Sequence, residues 1–290
     1  MVRCPRWAFV AAVLAIAAGR PAAAQKGKPA LAAVLSAAAA YVVHYSEHLQ
    51  AVGADELFTQ MDTSGQLQHI VRLNADAAFV GLGDGHFGSF RDVYAIDTKP
   101  LHERVPRLLR LFEQPPAQAG GAVHYARQFT EESAVRYLHT DLHMLDAALA
   151  PLELLRADYQ PHMAFKLDST KTSNGVTVAV VRFSENNTPS LLRTPDGLAL
   201  TGRFWIEAAS GGVTETEMVA SDRTSLLRSV VIYSFDKSLE IWLPKELSQR
   251  FDISHLGSNG ATGPREHESF DTHAYYSNFR QVPIDLDRIR

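Results

Sequence analysis

The side chains best suited to chemistry are grouped histidines and carboxylates. His139, Asp141 and His143 stand in the run HTDLH. On a helix the two histidines share one face, and Asp141 adds a carboxylate, so the trio offers low-count ligands for zinc and for metal-assisted hydrolysis. Two histidines and an acid do not complete a site. In a chain with 12 histidines the spacing also arises by chance, and a solvated helix face is the plainer reading.

Other motifs fail on context. His267-Glu268-Ser269-Phe270-Asp271 begins like H-E-x-x-H, but Asp271 takes the second histidine's place, and the segment alternates like a strand where that motif needs a helix. His102-Glu103 has the same defect, with Pro106 in the second position. Gly83-Asp84-Gly85-His86-Phe87-Gly88 fits G-x-G-x-x-G, whose pyrophosphate must rest on a following helix N-terminus. Ser89 to Ile96 instead alternates, which predicts a hairpin loop. Neither a G-x-S-x-G elbow nor a phosphate-binding G-x-x-x-x-G-K-[ST] occurs. No cofactor is expected.

The opening of the chain bears on compartment. Arg3 and Arg6 precede an apolar run from Trp7 to Ala18, and Ala22-Ala23-Ala24 follows. This predicts a signal peptide over residues 1–24, a mature chain from Gln25, and a periplasmic or secreted product. The run is too short to span a hydrocarbon core of about 30 Å. The one cysteine, Cys4, lies inside that leader, so neither disulfide nor thiol nucleophile is expected afterwards. Acids outnumber bases, 32 to 28, and losing Arg3, Arg6 and Arg20 widens the gap. Nucleic acid and anionic membrane are poor partners for such a surface. Pro29 to Val43 is apolar but too short for a span, and the ending DLDRIR lacks a terminal aromatic, so a soluble product with no transmembrane span after cleavage is expected.

The elements that would position a site read as follows. From Ala30 to about Met61 the apolar residues Leu31, Val34, Leu35, Ala38, Val42, Tyr45 and Leu49 recur at helical steps, with Gly53 as an interruption. Leu67 to Leu82 and Phe90 to Ile96 read as a hairpin, closed at Asp97-Thr98-Lys99-Pro100. Val105 to Phe112 is a short helix ended by Pro115-Pro116. Thr130 before Glu131-Glu132 reads as the cap of another helix. Ala117 to Gly121 is the best linker.

From Met163 onward short runs rich in branched and aromatic residues alternate with turn residues such as Ser173-Asn174-Gly175 and Asp236-Lys237-Ser238. Connections that short join only antiparallel neighbours. The predicted class is α+β: a long curved antiparallel sheet, an open half-barrel, covered by N-terminal and central helices. Residues 25–160 form a helical and hairpin part and 161–290 a sheet part, together one continuous domain over 25–290. Candidate binding residues on the sheet are Phe204, Trp205, Ile206, Tyr233, Trp242 and Tyr275.

Gly202-Arg203-Phe204-Trp205-Ile206-Glu207, the stretch Ser210 to Glu217, Leu239 to Pro244 and Tyr275 to Phe279 carry a resemblance. Their order of strands and turns, over residues 163–282, resembles the LolA/LolB type of periplasmic lipoprotein carrier. That resemblance implies an incomplete antiparallel barrel whose apolar concave face receives acyl chains. It transfers no single residue by motif. Three functions therefore stand: an exported non-enzymatic binder of a lipid, lipoprotein or acyl chain; a structural or envelope protein-interaction module; and a metal-assisted hydrolase on His139, Asp141 and His143. An apolar concave surface favours the first, and a filled interior with a flat exposed patch the second. Three or more converging ligands would favour the third.

Overall fold

Alanine fills six of the positions 31–48, and it is the strongest helix former. The helix α1, Leu31–His48, turns Val34, Ala38, Val42 and Tyr45 inward on one face. It stops before Gln50, which takes a positive φ of 58°. A strand follows, not more helix: β1 is Ala51–Asp62. The expected helix to Met61 is thus corrected. Its inward residues include Glu56 and Gln60, which interrupt the alternation of apolar residues that marks a strand in sequence.

The computed structural model describes residues 29–64, 68–117, 121–137, 148–186, 192, 194, 197–256 and 265–289. The expected signal peptide over 1–24 and the trio His139, Asp141 and His143 lie outside the described residues.

Strands β2 (His69–Gly83) and β3 (His86–Ile96) form the expected hairpin. Its turn is Asp84-Gly85, both at positive φ, so the glycine-rich motif closes a hairpin and opens no helix. After the two-residue β4 (Lys99–Pro100) come α2 (Arg107–Glu113) and α3 (Gly121–Tyr137). Thr130 does not cap α3 but sits inside it. Its Oγ1 donates to Ala126 O at 3.0 Å and accepts the Arg91 amide at 2.9 Å. Ser133 Oγ accepts the Val93 amide at 3.3 Å. The exposed edge of β3 is thereby satisfied by helix hydroxyls, which removes a site of edge-to-edge association.

A short helix α4 (Ala150–Glu153) precedes the meander β5 (Met163–Ser173), β6 (Val176–Glu185), β7 (Leu200–Glu207), β8 (Val213–Ser221), β9 (Ser225–Asp236), β10 (Ile241–Leu256) and β11 (Arg265–Val282), and α5 is Leu286–Ile289. Asn174 and Gly175 both take positive φ at the first of these turns. At another, Asp236 Oδ1 accepts the Ser238 amide at 2.8 Å.

Among the described residues there is one 11-stranded antiparallel sheet, in the order β4-β3-β2-β1-β11-β10-β9-β8-β7-β6-β5. The two ends do not meet, so the half-barrel is open. Chain topology matters here: β1 pairs with β11, sewing the first hairpins onto the C-terminal meander. The main core lies on the concave side, where α1 and Ala148 to Leu155 meet inward residues of the strands. A smaller core packs α2 and α3 against the outer side of β1 to β3, through Ala78, Phe90, Leu108 and Phe112.

Candidate ligand-binding face

Alternation along β9 sends Leu227, Ser229, Val231 and Tyr233 inward and Arg228 and Ile232 outward. The same rule splits the six candidates. Phe204 and Ile206 are fully buried on the concave side, with Phe204 stacked on Phe183 at 4.9 Å. Tyr233 is buried beside them, and its hydroxyl donates to Ala148 O at 2.7 Å. Trp242 lies at the rim, partly buried, edge-on to Phe235 at 5.8 Å. Trp205 and Tyr275 are on the convex side, where Tyr275 is 49% exposed. On β7 the concave face is apolar and sealed, while the convex face sets Trp205 between Arg203 and Glu207, so the strand is not apolar on both sides. Four of the six converge and two do not.

Above this surface lies α1. Its Tyr41 and Tyr45 stack at 5.5 Å, and Tyr45 meets Phe87 at 5.5 Å. The Tyr45 hydroxyl donates to Trp242 O, tying the helix to the rim. Burial pushes Tyr45 well above the ordinary tyrosine range, with Tyr41 and Tyr233 adding to it. Burial, then Glu207, raises Tyr41. Both therefore stay neutral, and Tyr45 serves as a neutral donor.

Two glycines set the height of the helix. A Cβ on Gly81 would come within 2.1 Å of Ser46 O, and one on Gly211 within 2.1 Å of Ala37 O. These are contacts that only a missing side chain permits. So α1 rests on β2 near its C-terminus and on the β7–β8 turn near its middle. Gln160 Nε2 also donates to Leu35 O at 3.1 Å.

Two polar clusters were not anticipated from sequence. On the concave side of β1 and β3, Arg91 Nε and Nη2 reach Glu56 at 2.6 and 2.7 Å. Both side chains are buried, and the guanidinium lies 4.3 Å over the Phe58 ring. On the outer side, Asp55, Asp76 and Asp92 stand in a row across three strands. Arg104 bonds Asp55 and Asp76, and Arg107 grips Asp92 at 2.9 and 2.5 Å. Burial works to raise Asp55, but bonds from Asn278 and Arg104 outweigh it and hold its carboxyl below the usual range. A polar cavity of about 130 Å³ opens there, lined by Asp92, His102, Arg107, Phe129 and Glu132. Its Asp92 and Arg107 are paired with each other, and the cluster straps the segment after β4 onto the sheet. Nothing but alternate residues in β1 and β3 hinted at either cluster, because the partners are far apart in the chain.

Among the described residues no three His, Cys, Asp or Glu side chains are grouped to hold a metal ion. None of the described helices is long and apolar enough to cross a membrane.

No protein-family model matches the chain, and no curated protein matches it. Solved structures are similar to it. A domain described as that of an outer membrane lipoprotein-sorting protein from Vibrio parahaemolyticus shares 11% identity, covering 85% of this chain and 91% of that one, with a TM-score of 0.38. A DUF1329 family protein from Desulfovibrio piger shares 12%, over 91% and 98%, with a TM-score of 0.41. A LolA superfamily protein from Nitrosomonas europaea shares 9%, over 85% and 94%, with a TM-score of 0.34.

Proposed function

We propose that the chain is an exported, non-enzymatic binding protein for an apolar ligand such as a lipid or acyl chain, held between the concave face and α1. One observation carries this reading: α1, the longer of the two segments over the apolar concave face, is a thin and neutral cover. It packs with alanine and valine, Ala38, Ala39, Val34 and Val42, and is fastened by neutral hydrogen bonds. The neighbouring segment is fastened by the Glu153 carboxylate, 3.2 Å from His86 Nδ1 of β3, whereas among the described residues no α1 side chain forms an ion pair with the sheet. Such a cover lifts without separating charges, and an acyl chain can take over the contacts it leaves. Burying a methylene is worth ~0.8 kcal/mol, so eight of them contribute about 6 kcal/mol before association costs.

The test is displacement of a fluorescent fatty acid from delipidated protein. Saturable binding in the micromolar range, reversed by laurate, is expected. Absence of binding at high micromolar probe would end the carrier reading.

Export belongs to the same reading, with the signal at 1–24 and 25–160 and 161–290 as parts of one domain. Intact mass of the product released by the producing cell should begin at Gln25; retention of Met1 to Ala24 would refute it.

A protein-interaction module is the second reading, favoured by the convex side. There Trp205, Ile232, Tyr275 and Leu57 follow one row across the sheet, with Glu215 and Glu246 between them.

A further inference from the structure

Register lays six outward side chains in one row across the convex side. In order they are Leu57 on β1, Tyr275 on β11, Glu246 on β10, Ile232 on β9, Glu215 on β8 and Trp205 on β7. Leu57 is 46% exposed, Ile232 40% and Tyr275 49%, so nothing among the described residues covers the row. From Trp205 to Tyr275 it alternates strictly, an apolar residue and then a carboxylate.

These two carboxylates differ from others on the same side. Glu217 is held by Arg203 at 3.1 Å and Arg228 at 2.7 Å, Asp168 by Arg182 at 2.8 Å, and Asp252 by Arg250 at 2.8 Å. Among the described residues neither Glu215 nor Glu246 has an ion pair or a side-chain hydrogen bond. Burial, then Glu217, raises the Glu215 carboxyl against the pull of Arg228. The surrounding arginines are thus engaged, and the row itself holds no cation. Stacking it on a second copy would set each carboxylate against another carboxylate or an apolar residue, burying charge without a partner. A partner that brings cations spaced between apolar side chains answers both halves of the pattern.

Spacing decides what form that partner takes. Neighbouring strands lie about 4.8 Å apart, which puts Glu215 and Glu246 about 10 Å apart with Ile232 midway. One face of a helix repeats every 5.4 Å or so, close to one turn per strand. An extended segment repeats its face only every ~6.8 Å and falls out of step. Trp205 and Tyr275, the largest side chains of the row, stand at the flanks, where a convex sheet falls away from a straight helix.

We infer that this row docks a cationic amphipathic helix of another protein, with Lys or Arg at i and i+7 on Glu215 and Glu246 and an apolar residue at i+3 or i+4 on Ile232. This rests on the interaction-module reading and names its partner. It leaves the concave face free, because the two surfaces lie on opposite sides of the sheet.

The test is fluorescence anisotropy with a labelled helical peptide of alanine and glutamine, bearing leucine at positions 3, 10 and 17 and lysine at positions 7 and 14. Saturable binding at tens of micromolar is expected. The same peptide with glutamine in place of both lysines should bind about tenfold more weakly, through loss of two partly desolvated ion pairs. Glu215→Gln with Glu246→Gln should impose that loss on the lysine peptide and almost none on the glutamine peptide, with an unchanged thermal melt. Glu47→Gln, at an exposed carboxylate of α1, should leave both affinities as they were. Equal affinity for the two peptides, or a lysine preference that survives the double substitution, overturns the inference and leaves the interaction module standing. Absence of saturable binding by either peptide up to millimolar concentration also overturns it. Sedimentation then separates the reading beneath: a dimer dispersed by Ile232→Lys keeps the module with a second copy as partner. A monomer, or a dimer indifferent to that change, ends the module reading too.

Discussion

Replacing Arg91 with methionine should lower stability by about 3–5 kcal/mol in denaturant melts, the cost of leaving a buried charge without its partner. Glu56 is 3% exposed and Arg91 6%, so water cannot substitute for the lost guanidinium. Both Glu56 oxygens accept from Arg91, and the guanidinium also covers Phe58. Removing both charges gives the informative contrast. Glu56→Leu combined with Arg91→Met should recover most of the loss, since well-packed apolar residues often replace a buried ion pair at little cost. A single-variant loss below about 1 kcal/mol would mean that the pair is open to solvent and contributes as a surface bridge does.

The second large effect is expected at Phe204. Truncation to alanine removes a fully buried ring that stacks on Phe183, and should cost about 3–5 kcal/mol. Trp205→Ala, one residue along on the convex side, should cost much less, because that ring already contacts solvent. Equal losses at the two positions would contradict the assignment of faces. The comparison also bears on binding: Phe204 belongs to the surface proposed to meet the acyl chain, and Trp205 does not.

Much of the second half was legible because each element there is self-contained. Branched and aromatic residues alternate between Asn174-Gly175, Gly211 and Asp236, and those turn residues need nothing distant to act. The G-x-G-x-x-G run was readable as a turn for the same reason. Three successive positive φ angles, at Gly83, Asp84 and Gly85, and a strand on either side settle it locally. In the first half the apolar stripe of α1 was visible, but its end was not. Beyond His48, inward Glu56 and Gln60 break the apolar period of β1, and a sequence pattern has no way to mark a buried charge as satisfied. Thr130 misled in a related way, since its hydroxyl serves the edge of β3 from within a helix.

The chain's own residue order therefore determined the α+β class, the antiparallel meander and the helix that lies over it, because propensity, period and turn chemistry act over a few residues. The tertiary structure alone decided which apolar faces meet. It placed Phe204, Ile206 and Tyr233 under α1 and turned Trp205 and Tyr275 outward, since pairing register assigns each side chain its side of the sheet. It also joined Glu56 to Arg91, 35 residues away, and lined up Gln60 with Ser229 across four strands. Those contacts depend on β1 pairing with β11 at the opposite end of the chain, and only the folded sheet brings the two together.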